Sequence, residues 1–285
     1  MARDKEVAAI RARYAADAMV WAREAGMDNP RVQAAFAAIQ RERYLTPPPW
    51  RIFAPGGIME DETSDPTKLY ADVLIVLDRA KGINNGQPSL HAAWMAGVDP
   101  RPGEIVVQVG IGAGYYTALL AWLVGETGRV EAYEIEPRLA EIAAGNLAGL
   151  PQVRVHAESA IGIDLPAADI VYVSAGAVAP DPTWLRCLRP GGRLVMPWQP
   201  SSAEGRTLVV RRTPEGFGAR LHASVSFVPC VGAGRRDAGP RGSPSRPISE
   251  TRSVLFSGEC RPDESATAIY EQIWFSAREP SSLML

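Results

Sequence analysis

Three glycines at alternate positions, Gly110, Gly112 and Gly114, follow the apolar run "IVVQV" and precede a second one, "YYTALLAWLV". A strand, a glycine-rich turn and a helix in that order expose backbone N–H groups at a helix N-terminus, and the missing side chains let a ligand approach the main chain. Tight packing of helix on strand is the plainer use of such glycines. The following strand candidate, "VEAYEI", carries Glu134 near its end, 20 residues after Gly114. A carboxylate there can accept from both ribose hydroxyls of an adenosine ligand. Ile135 beside it joins the candidate cofactor-binding set. A dinucleotide fingerprint asks for glycine at position 115, where Tyr115 stands instead. With no pyrophosphate to seat, a nucleoside carrying an amino-acid tail fits better, which points to S-adenosylmethionine.

A third strand candidate, "VRVHA", leads to Glu158 and Ser159, where an acidic side chain can accept from an adenine amino group. His156 and Glu158 are equally open to being solvated loop residues.

The elements that must position these residues alternate. Strand candidates "IVVQV", "RVEAYEI", "VRVHA", "DIVYVS" and "RLVMPW" are interleaved with helix candidates that begin at Tyr115, Pro137 and Pro182. Apolar strands separated by helices predict a mostly parallel sheet covered on both faces. "TLVVRRTPEGFGARLHASVSFVP" predicts a hairpin adding antiparallel strands at one edge. Upstream, apolar residues at steps of three and four predict a helix over 5–25 and another from Pro30. Residues 46–68, rich in Pro, Gly, Asp and Thr, read as a loop or surface excursion. "GINNGQP" reads as a tight turn before the helix "SLHAAWMAGV". Residues 232–252 carry five arginines among Gly, Pro and Ser and read as a linker, and "SATAIYEQIWFSA" reads as a terminal amphipathic helix.

The chain has 285 residues, 46% of them hydrophobic and 22% charged, with a formal net charge of −2. That balance gives no general attraction to nucleic acid or anionic membrane. The arginines of 232–252 lack the interleaved aromatics of a single-strand binder, which argues against a nucleic-acid partner. Three scattered cysteines signal neither a disulfide framework nor a zinc site. No metal site is expected. No signal peptide or membrane span is read, so a cytoplasmic location is expected.

The ordered set "VVQVGIGAGY", "VEAYEIEP", "ADIVYVSAGA" and "CLRPGGRLVMP" resembles the class I methyltransferase fold. "GMDNPRVQAAFAAIQRERYLTP" before it and "SFVPCVG" after the hairpin resemble the protein-L-isoaspartate O-methyltransferase family in particular. The likeness covers roughly residues 5–232, with an insertion around 50–68. It implies an α/β, Rossmann-like sheet, mostly parallel with antiparallel edge strands and helices on both faces. Three regions are expected: an N-terminal helical and acceptor-side segment (1–100), the methyltransferase core (101–231), and an Arg/Gly/Pro-rich linker with a terminal helix (232–285).

The resemblance also implies methyl transfer from S-adenosylmethionine to a carboxylate of a peptide or protein. The family's acceptor segment, approximately Gly-Gln-Thr-Ile-Ser-x-Pro, aligns with Gly82-Ile83-Asn84-Asn85-Gly86-Gln87-Pro88, and its upstream Tyr-Glu-Asp aligns with Tyr70-Ala71-Asp72. Asn84, Asn85 and Gly86 thereby join the cofactor-binding candidates, and His91 matches a cofactor-side histidine of some members. The family's serine falls on Gly86, and Gln108 replaces an acidic residue two before the first glycine. Asn85 and Ser89 are candidate substitutes for the lost hydroxyl. Two further readings stand beside this one: a different peptide or small-molecule acceptor, and a non-catalytic S-adenosylmethionine-binding protein.

Overall fold

A computed structural model describes residues 2–54, 60–200, 205–233, 241, 244 and 246–280. The chain divides into two units, Met1–Ile105 with Ile111–Glu158, and Val106–Gly110 with Ser159–Leu285. The expected divisions at 100 and 231 do not coincide with these boundaries.

The first unit opens with three helices, α1 (Ala2–Ala18), α2 (Val20–Glu24) and α3 (Pro30–Ala38). The helix expected over 5–25 is therefore two, broken at Met19. Asn29 caps α3, its Oδ1 accepting from the N–H groups of Arg31 and Val32, and Pro30 takes the first turn, where no donor is lost.

Residues 46–68 are not simply a loop. They contain β1 (Trp50–Phe53) and β2 (Glu60–Thr63), which pair with β3 (Leu74–Asp78) and β4 (Ile83–Asn84) in a sheet of order β2-β1-β3-β4. The prolines and aspartates suggested a loop, but "WRIF" alternates, burying Trp50 and Ile52. Part of the excursion, 55–59, lies outside the described residues.

Helix α4 (Pro88–Val98) and helix α5 (Tyr115–Val124) are buried along most of their length. β6 (Arg129–Tyr133) and β7 (Val153–His156) run parallel, joined through α6 (Pro137–Leu147), which buries Leu139, Ala140, Ala143 and Leu147 along one stripe.

In the second unit β5 (Ile105–Val109, all but its first residue) runs parallel to β8 (Ala168–Val173), and β8 parallel to β9 (Leu188–Trp198). Between β8 and β9 lies α7 (Pro182–Arg186). The expected hairpin is β10 (Arg206–Thr213) with β11 (Gly216–Ser224), in which β10 runs antiparallel both to β11 and to β9.

The terminal helix is not formed. β12 (Ser253–Phe256), β13 (Ala266–Ile269) and β14 (Ile273–Ser276) continue the antiparallel part in the order β13-β14-β12-β11. The four-residue spacing of Ile269 with Ile273 and of Tyr270 with Trp274 comes from strands meeting at a tight turn, closed by Tyr270 N–H to Ile273 O. Phe275 stacks on Trp198 at 4.4 Å, and Trp198 Nε1 donates to the Tyr270 hydroxyl at 3.1 Å. Ten of the 21 residues of the linker reading, 234–240, 242, 243 and 245, lie outside the described residues. Arg241 and Arg246 donate backbone N–H groups to Ile269 and Ala266 of β13.

Among the described residues no helix is long and apolar enough to cross a membrane, and no group of three His, Cys, Asp or Glu residues is placed to hold a metal ion.

Candidate active site

The glycine turn takes a path that side chains resist. Gly110, Gly112 and Gly114 have φ of 75°, 57° and 101°. Within the first unit, Gly112 N–H donates to Oε2 of Glu134 at 2.7 Å, and Glu136 N–H donates to its Oε1 at 3.0 Å. Glu134 is thus fixed at the end of β6, where its backbone N–H in turn reaches His156 O at 3.0 Å. It is 6% exposed. Burial pushes its carboxyl above the usual range, and the N–H groups of Glu136 and Gly112 oppose that rise.

A carboxylate offers about four acceptor positions, so two bonds to the backbone leave capacity for a ribose diol. The donor set and the turn fit S-adenosylmethionine. The glycines also serve packing. A Cβ on Gly112 would stand 2.7 Å from Leu77 Cδ1, and one on Gly114 would stand 2.9 Å from Leu147 Cδ1. Gly112 therefore makes room for Leu77 of β3, a neighbour that nothing in the sequence pattern marked.

The candidates further along are looser. Glu158 is exposed, its Oε1 3.7 Å from His156 Nδ1, while His156 Nε2 lies 2.7 Å from Glu131 Oε2. Ile135 is 40% exposed. Ser159 and Gly110 belong to the second unit, and Ser159 Oγ accepts from Ile161 N–H at 3.2 Å. Gln108, also in that unit, is fully buried, and its side-chain amide has no hydrogen-bond partner among the described residues.

Asn84, Asn85, Gly86 and His91 are brought together. Asn84 Oδ1 accepts from Gly86 N–H at 2.9 Å, closing a small turn of the kind Asn favours. Asn85 is held to Ile75 twice, its N–H donating to Ile75 O at 2.9 Å and its Oδ1 accepting from Ile75 N–H at 2.8 Å. Gly86 has φ of 80°, and its carbonyl accepts from the Tyr116 hydroxyl at 3.0 Å. His91 stacks on Tyr116 with ring centroids 3.6 Å apart. Burial first, and the Arg41 charge second, lower the imidazole to about 3, so it is neutral at physiological pH.

A Cβ on Gly86 would stand 2.4 Å from His91 Nε2. Putting the family's serine back at 86 therefore requires His91 to move.

Ser89 is already engaged. Its N–H and its Oγ each donate to Asp72 at 2.8 Å, and Gln87 Nε2 donates to Asp72 at 2.8 Å and to Ser89 Oγ at 3.0 Å. Asp72 thus caps the N-terminus of α4, where negative charge is favoured.

Asp72 is held in place by a residue the sequence reading passed over. Arg41 is fully buried, and its guanidinium donates to the carbonyls of Leu69 (2.6 Å), Ala71 (3.1 Å) and Val73 (2.8 Å). It lies 5.7 Å from the ring centroid of Tyr14 and 5.4 Å from that of Tyr115. Arginine in "QRERYL" looks like a solvated charge. Its neighbours on either side, Gln40 and Glu42, are polar and give no hint that it turns inward.

Comparison with known proteins identifies the family. The family described as Protein-L-isoaspartate(D-aspartate) O-methyltransferase matches residues 15–235. A protein-L-isoaspartate O-methyltransferase of Methanopyrus kandleri is 33% identical over 170 residues, covering 58% of this chain and 74% of that protein. One of Pyrobaculum arsenaticum is 30% identical, covering 73% and 94%. One of Aeropyrum pernix is 37% identical, covering 54% and 63%, so the chain spans under two thirds of that relative.

Among solved structures, a protein-L-isoaspartate O-methyltransferase superposes with TM-score 0.64 at 23% identity, over 78% of this chain and 66% of that one. A putative one from Plasmodium falciparum, in complex with S-adenosyl-L-homocysteine, gives 0.61 at 16% identity, over 77% and 97%. These two share the fold, an α/β Rossmann-like sheet. With the glycine turn, Glu134 and the segment 82–91 in place, and a family match spanning most of its length, the chain belongs to the protein-L-isoaspartate(D-aspartate) O-methyltransferase family.

Proposed function

We propose that this S-adenosylmethionine-dependent methyltransferase methylates the free carboxylate of isoaspartyl residues in peptides and proteins. When bound, S-adenosylmethionine supplies a methyl group on a positively charged sulfur. One acceptor oxygen forms the new O–CH3 bond as the S–CH3 bond breaks, and the bonding pair stays with sulfur. No proton need move, because the acceptor carboxylate is already ionised at neutral pH. The work left to the protein is alignment in a site that excludes water.

Glu134 would hold the ribose hydroxyls and the glycine turn would lie against the amino-acid tail. Glu158 and Ile135 would flank the adenine. Segment 84–86 and His91 would face the reacting end. The observation that carries this reading is the Glu134 carboxylate locked to Gly112 N–H at 2.7 Å within a chain of this family. The test is transfer of labelled methyl from S-adenosylmethionine to an isoaspartyl peptide, with the ordinary aspartyl peptide as control. Label on the isoaspartyl peptide alone is the expected result.

A further inference from the structure

The acceptor segment of this chain has glycine where the family's serine falls, and three observations say what replaces the hydroxyl. The first is steric. Position 86 has no room for a side chain, because His91 Nε2 stands where a Cβ substituent would go, on a backbone with positive φ.

The second removes the nearest alternative. Ser89 Oγ is buried and spends its proton on Asp72, which also takes Ser89 N–H and Gln87 Nε2. Its role is to tie α4 to Asp72.

The third concerns Asn85, one residue before the glycine. Its Oδ1 accepts from Ile75 N–H, which fixes which end of the amide is nitrogen. Nδ2 is consequently the other end of the amide, a two-proton donor buried from solvent with no hydrogen-bond partner among the described residues. Buried donors in native proteins are nearly always satisfied, and an orphan beside a binding segment points to a partner that arrives with the ligand.

We propose that Asn85 Nδ2 is the donor that holds the acceptor carboxylate, one residue before the position on which the family's serine falls. This inference rests on the isoaspartyl reading above. A carboxylate loses its charge as it is methylated, so a donor to it binds the acceptor more tightly before transfer than after. The donor fixes one oxygen and leaves the other to react. Its removal should therefore appear mainly in the acceptor's KM, whereas loss of a cofactor contact would appear in S-adenosylhomocysteine affinity.

The experiment compares wild type with Asn85→Asp at pH 8. The aspartate keeps the acceptor for Ile75 N–H but, ionised, carries no donor. Asn85→Ala is the second variant, losing the donor without adding charge. The expected result is a rise of about 10–100-fold in KM for an isoaspartyl peptide, the range of a hydrogen bond to a charged group. S-adenosylhomocysteine affinity by calorimetry should stay within about threefold, which also certifies the fold of each variant. Unchanged KM in both variants overturns the proposal. So does weakened S-adenosylhomocysteine binding with unchanged acceptor KM, which would give the donor to the cofactor. Wild type that binds S-adenosylhomocysteine but methylates no isoaspartyl peptide overturns the reaction reading, and the acceptor role with it.

Discussion

Gly86 and His91 occupy each other's space: a Cβ at 86 would meet Nε2 of the imidazole at 2.4 Å, on a backbone whose φ is 80°. Gly86→Ala should therefore destabilise the protein by about 1–3 kcal/mol, combining a left-handed backbone with overpacking. His91→Ala in the same chain removes the clash and leaves the backbone term. The double variant should be less unstable than the sum of the singles by at least about 0.5 kcal/mol. Denaturant unfolding of the four proteins measures this, and strict additivity would show that the two residues are not coupled.

Glu134 gives a prediction in pH. Its carboxyl is raised above the ordinary value by burial, so the folded state holds this proton more tightly than the unfolded chain does. The sign follows: stability attached to Glu134 is present at low pH and declines as pH rises from the unfolded value through the raised one. Cofactor binding should run the opposite way, because in the proposed site it is the ionised carboxylate that would accept both ribose hydroxyls. S-adenosylhomocysteine affinity should fall on acidification through the same window in wild type and be flat in Glu134→Gln. Glu134→Ala should cost about 1.5–3 kcal/mol of affinity at neutral pH. Calorimetry across pH reads both, and an unchanged pH slope in Glu134→Gln would remove Glu134 from the cofactor site.

Arg41 is the strongest stability prediction. Its guanidinium serves three carbonyls of the segment that places Asp72. Arg41→Met removes the donors to three carbonyls, that of Leu69 in a buried residue, and should cost about 3 kcal/mol. Arg41→Lys should recover little of it, since one ammonium lacks the planar fork that spans the carbonyls. A midpoint shift under about 0.5 kcal/mol in urea, the level of an ordinary surface change, would contradict the clamp.

The C-terminal strands belong to the second unit. Trp274 is fully buried, its Nε1 donating to Cys260 O at 2.8 Å, and β12 pairs with β11. Trp274→Ala should cost about 3–5 kcal/mol. Trypsin cleavage among the arginines of 232–252 should leave both fragments co-eluting by size exclusion, and separation without denaturant would show that the strands do not hold.

Much of the core was readable because its signals are local. The starts of α5, α6 and α7 fall on Tyr115, Pro137 and Pro182, each after a recognisable break, and β5 matches "IVVQV" residue for residue. The hairpin β10–β11 followed from Pro214 and Glu215 between two apolar runs. What was missed depended on partners far away in the chain. Trp274 and Phe275 sit in strands because Trp198 and Cys260 are there to receive them, which a four-residue spacing alone does not convey. Arg41 faces inward because the carbonyls of Leu69, Ala71 and Val73 converge on it. At the site, motif spacing singled out the glycine turn and Glu134 separately, and the bond from Gly112 N–H to Glu134 appeared only with coordinates. The crowding of Gly112 by Leu77, and of Gly86 by His91, required coordinates.

The measurement that bears most directly on the account is methyl transfer by wild-type protein from labelled S-adenosylmethionine to an isoaspartyl peptide, beside its aspartyl counterpart and an S-adenosylhomocysteine binding assay. The predicted result is base-labile label on the isoaspartyl peptide, none on the aspartyl control, and S-adenosylhomocysteine binding in the micromolar range, about −8 kcal/mol. Tight S-adenosylhomocysteine binding with no label on either peptide would contradict it.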